Sequence, residues 1–137
     1  MINLDVPEKN VRFLSYPPTI EQEEMIGRLV SFAGSGQWED LGLDVPQPGQ
    51  PRQGENVGCD QCSPKMALDM RLLGCKFKDD ADNKASICAR TIYDYYIRSN
   101  DNRGTQFVFS DLGTYKPNEW NIYTDIKEKL VRLGNSC

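Results

Sequence analysis

The 137 residues contain no histidine. That removes the side chain most used as a general base near neutral pH and the commonest neutral zinc ligand, which disfavours many enzyme classes. The sequence also lacks a phosphate loop, Gly-x-x-x-x-Gly-Lys-[Ser/Thr], whose backbone amides and lysine surround a nucleotide's phosphates. Its nearest glycine-rich stretch, Ala33-Gly34-Ser35-Gly36-Gln37, has no lysine and follows a helical pattern, so it reads as a helix stop. Paired acidic residues after a buried strand, the usual magnesium holders of a motor ATPase, are missing as well. No apolar run approaches the roughly 20 residues of a membrane span, and Met1 to Asn10 lacks the basic start and apolar stretch of an export signal. These absences predict a cytoplasmic chain with no membrane role, no cofactor and no catalysis of its own.

Cysteine is present but odd in number: Cys59, Cys62, Cys75, Cys88 and Cys137 make five, and without an export signal they read as reduced thiols. Cys59-Asp60-Gln61-Cys62 is a Cys-x-x-Cys knuckle that could join Cys75 and Cys88 in a four-thiolate zinc site. The gap between Cys75 and Cys88, with Cys88 on an apolar helix face, suits zinc poorly, so buried thiols are the expectation. Twenty acidic residues against 16 basic ones give a net charge of -4, so any contact with nucleic acid must be local.

Along the chain, Val11 to Tyr16 reads as a strand closed by Pro17 and Pro18. Thr19-Ile20-Glu21-Gln22 is a capping box, followed by a helix whose stripe is Ile26, Leu29, Val30 and Ala33. Residues 35–62 are rich in proline and glycine and read as a loop or insertion. Ser63-Pro64 should open a second helix with Met66, Met70 and Leu73 on one face. A third, starting near Asp82 or Asn83, carries Ala85, Cys88, Ala89, Ile92, Tyr95 and Tyr96. Thr105 to Ser110, with Phe107, Val108 and Phe109, reads as a buried strand, and Ile122, Ile126, Leu130 and Leu133 mark a fourth helix. The expected fold class is α/β, helix-dominated, with few strands.

The strings Ala67-Leu68-Asp69-Met70-Arg71-Leu72, Asp82-Asn83-Lys84 and Arg103-Gly104-Thr105-Gln106-Phe107-Val108-Phe109-Ser110-Asp111-Leu112 resemble superfamily-two helicases of the Swi/Snf type, especially the large methylase-helicase proteins of phages and conjugative elements. The resemblance implies a truncated RecA-like segment in which residues 1–34 are a linker strand and helix, 35–62 an insertion, and 63–137 the start of the second motor domain. It implies a non-catalytic piece of a DNA translocase, whose partners are DNA and the rest of the motor.

Ser110, Asp111 and Thr114 follow the expected strand end, where open α/β sheets place ligands. With Lys84 and Lys116 they are the candidate contacts to a DNA backbone, although turn chemistry would select the same residues. Base stacking by Tyr93, Tyr95, Tyr96, Tyr115, Tyr123 and Trp120 is the weaker idea, because they fall on different faces. The alternative to a motor fragment is a small standalone interaction or oligomerisation module that pairs its lone strand with a second copy.

Overall fold

The computed structural model describes residues 8–43, 58–74 and 76–135, with the side chains of residues 38 and 58–61 outside the description. Among the described residues, four α-helices carry the fold: α1 (Ile20–Ser35), α2 (Gly58–Leu68), α3 (Lys84–Arg98) and α4 (Ile122–Asn135). Short 3-10 turns at Trp38–Leu41, Met70–Leu72 and Asn100–Asn102 follow the first three. No strand occurs among the described residues, which overturns the expected α/β class and the RecA-like segment built on it. None of the described helices is long and apolar enough to cross a membrane.

The reason for the missing sheet lies in what a strand needs. Val11 to Tyr16 and Thr105 to Ser110 have strand-like composition, but neither finds a ladder partner among the described residues, and helices cover both cores. Phe13 is 92% exposed, and Phe107 and Phe109 are 79% and 86% exposed, the opposite of the burial expected for a central strand.

Where the sequence supplies local chemistry, the elements follow it. Thr19 Oγ1 accepts from the Gln22 amide at 3.3 Å, and Gln22 Oε1 accepts from the Thr19 amide at 2.9 Å, closing the capping box. Gly36 ends α1 in the left-handed region (φ 69°), with its amide on Phe32 O. The buried face of α1 is Met25, Leu29 and Phe32, while Ile26 and Val30 point outward. Both stripes contain Leu29 at helical spacing, and packing against α2 and Leu41 decides between them. Helix α2 begins at Gly58, ahead of the predicted Ser63, so Pro64 lies inside it and withholds one turn-closing donor. Asn83 caps α3 by accepting from the Ser86 amide at 2.8 Å.

Two apolar clusters result. In the first, Met25, Leu29, Leu41, Cys62, Met66 and Met70 pack α1 against α2 and both adjoining turns. Gln22 Nε2 also clips the two helices together by donating to Met66 O at 2.8 Å. In the second, Ala85 and Ala89 on α3 face Ile122 and Ile126 on α4, the alanines letting the helices approach closely. Leu68, the last residue of α2, packs into this second cluster and so leads the chain from one half to the other.

Candidate functional site

At that crossing the chain buries charge. Asp69, only 2% exposed, has extended backbone and caps the Met70–Leu72 turn by accepting from the Arg71 amide at 2.9 Å. Its two oxygens also accept from Arg71 Nε and Nη2 at 2.9 and 2.8 Å. The guanidinium reaches onward to Asp125 on α4, donating from Nη1 and Nη2 at 2.8 and 3.0 Å. Lys129, one turn further along α4, donates to Asp125 Oδ2 at 2.7 Å and to both oxygens of Asp79 at 2.8 Å. Asn83, the cap of α3, adds a bond to Asp79 at 2.9 Å. The Trp120 ring lies against the guanidinium, 4.4 Å from centroid to Cζ.

This set joins the segment after α2 to the cap of α3 and to the face of α4. Burial alone would lower the Arg71 pKa, but hydrogen bonds and charge from Asp69 and Asp125 outweigh it and raise it far above any accessible pH. Burial would likewise raise the Asp79 pKa, but the Lys129 and Asn83 hydrogen bonds and the charges of Arg71 and Lys129 hold it below the ordinary carboxylate value. A carboxylate so committed is a weak base, and an arginine so held gives up no proton, so the network acts as a clamp rather than as proton-transfer machinery.

Because the Asp79 pKa is lowered on folding, its contribution to stability is present above the unfolded value of about 4 and is lost as pH falls through the folded value. Urea midpoints should therefore hold level down to about pH 5 and then decline, and Asp79→Asn should flatten that decline. An unchanged acid slope in Asp79→Asn would remove Asp79 from the clamp.

One of the five predicted DNA contacts stands apart from the other four. Lys84 opens α3 and is exposed, whereas Ser110, Asp111, Thr114 and Lys116 lie in the loop between α3 and α4. Ser110 donates its amide to Tyr123 Oη at 2.9 Å and its hydroxyl to Leu112 O at 2.7 Å. Lys116 pairs with Glu119 at 3.7 Å, while Asp111 and Thr114 are exposed. The aromatic residues do not form one stacking surface, since Tyr123 is engaged with Ser110 and Trp120 with Arg71.

Of the four proposed thiolate ligands, Cys62 belongs to the first cluster and Cys88 packs on the second, so the fold does not bring them together. Cys75 and the side chain of Cys59 fall outside the described residues. Burial raises the Cys88 pKa, which keeps it a thiol.

Sequence reasoning missed an exposed apolar face. An open groove of about 440 Å³ is lined by Tyr123, Ile126, Lys127, Leu130 and Val131 of α4 and by Val108. Val108 is half-buried and turned toward α4, while Phe107 and Phe109 point out and stack on each other, centroids 6.4 Å apart at 18°. Stacking of residues i and i+2 is what extended backbone gives, since alternate side chains share a face. The alternation of Phe107, Val108 and Phe109 is visible in sequence, but three apolar residues in a row carry no sign of which face goes uncovered. Comparison with known proteins adds nothing to this description: no family model, curated protein or solved structure matches the chain.

Proposed function

We propose that this chain is a protein-interaction module that docks through the Phe107–Phe109 segment and the adjoining α4 groove. One observation carries the reading: two large aromatic side chains stand 79% and 86% exposed on a segment whose middle residue is anchored beside an apolar groove. Contiguous exposed apolar surface of this kind marks interaction sites, whereas scattered single residues do not. Phenylalanine is also among the residues enriched at the centres of interfaces. The polar loop draws no comparable support as a DNA contact, because its Lys116 stands beside Glu119 and Asp111 lies in the same loop, while Lys84 stands on another element.

The double variant Phe107→Ser, Phe109→Ser tests this at low micromolar concentration. It should leave the thermal midpoint nearly unchanged, as these rings contribute little to either core, and should sharply reduce binding of a dye that fluoresces on apolar surfaces. A large drop in thermal midpoint would make the two phenylalanines core residues and overturn the proposal.

A further inference from the structure

The same segment identifies its own partner, an inference that rests on the docking reading above. Between the Gly104 amide, which donates to Ser99 O, and the Ser110 amide, which donates to Tyr123 Oη, no backbone hydrogen bond is made by any of residues 105–109 among the described residues, and only the Gln106 side chain is tied down, donating to Ile92 O. In extended backbone, successive amide groups point to opposite edges. The Ser110 amide faces α4, and the Phe107–Phe109 stacking fits extended backbone, so this alternation assigns the amides and carbonyls of Thr105, Phe107 and Phe109 to the edge opposite α4. That is an open edge with its ladder groups unmade, which templates pairing with another chain.

Its flanks are oppositely charged. Thr105 to Ser110 carries no charge, Arg103 stands four residues before Phe107, and Asp111 stands four residues after it. Both flanking residues are exposed. Antiparallel pairing with a second copy about a two-fold axis at Phe107 sets Thr105 opposite Phe109 and uses the free edge on both chains. It also brings Arg103 of each copy to Asp111 of the other. Arg103 leaves extended geometry (φ 47°), so the ladder spans Thr105 to Phe109 and the arginine reaches its counterion by side-chain length.

We propose that this chain forms a two-fold homodimer by antiparallel pairing of Thr105–Phe109 centred on Phe107, with Arg103 and Asp111 fixing the register. Phe107 then faces Phe107 of the other copy across the axis and each Phe109 faces the other copy's Thr105, an arrangement that a self-complementary interface permits.

The register is tested by charge exchange on the full chain. Arg103→Asp makes both flanks acidic and Asp111→Arg makes both basic, so each variant alone sets like charges together in two symmetry-related places. Sedimentation over a concentration series should show each variant dimerising about tenfold or more weakly than the original chain, the effect fading at high salt. An equimolar mixture should recover the original affinity as a heterodimer, since the two acidic flanks of one variant then meet the two basic flanks of the other. Helical circular dichroism should be the same for all three chains, because both positions are exposed.

Weakening without recovery on mixing, or no weakening at all, would overturn the register. A chain that stays monomeric throughout would overturn the dimer, while the dye-binding test above would still decide the docking face. Association lost in Phe13→Ser, Leu14→Ser but indifferent to the charge reversals would assign the open edge to the N-terminal arm of another copy instead, and overturn the proposal.

Discussion

Replacing Arg71 by alanine should cost about 3–5 kcal/mol of folding stability, the range measured when one partner is taken from a buried ion pair. The arithmetic of the clamp explains why this position is the sensitive one. Asp125 and Asp79 would each keep Lys129, and Asp79 would also keep Asn83. Asp69, at 2% exposure, would keep only the backbone amide of residue 71 among the described residues. An ionised carboxylate buried without a cation either bears its desolvation or takes up a proton, and either outcome weakens the native state. Total stability of a domain is only about 5–15 kcal/mol, so the loss would be a large share of the whole. Arg71→Lys should fall between, since it keeps the charge but cannot make two forked contacts or lie flat on Trp120. Urea unfolding at neutral pH, followed by helical circular dichroism, measures both. A cost below about 1 kcal/mol for Arg71→Ala would place the pair in the class of solvent-screened surface bridges.

The clamp also marks the boundary of what could be read from the sequence. Thr19, Asn83 and Gly36 act on neighbours three or four residues away, so their chemistry is legible and α1 and α3 start or stop where it says. The same holds for Ile122 and Ile126 on α4, whose spacing is helical and whose burial follows it. Arg71 and Asp125 lie 54 residues apart and leave no local pattern; only the Asp125 and Lys129 spacing along α4 hints that the face is charged by design. In the string Ala67 to Leu72, Asp69 and Arg71 serve this junction. The misreading of Thr105 to Ser110 has a different cause. Residue type announces a preference for pleated, half-covered surroundings but not whether a partner is supplied within the chain. Here Val108 finds cover and its neighbours do not.

Two cores joined by one charged clamp raise the question of whether they melt together, and one buried apolar side chain in each gives the means to ask. Leu41 is fully buried in the first cluster and Ile126 is 5% exposed in the second. Truncating either to alanine should cost about 2–5 kcal/mol, the transfer term plus the cavity left behind. Trp120 packs on the second cluster and under the Arg71 guanidinium, so in a Trp38→Phe background its fluorescence midpoint reports that half and its clamp, while circular dichroism reports the helices of both halves. With the clamp intact, and with Leu68 of α2 seated in the second cluster, damage to the first should reach the second. Leu41→Ala should therefore move the Trp120 midpoint as far as the helical midpoint, a single transition seen by two probes. Adding Arg71→Ala severs the two contacts to Asp125 and should part the curves, the helical signal falling first and Trp120 later. If Leu41→Ala shifts the helical signal alone while Arg71 is still in place, the halves are independent units and the clamp binds nothing together.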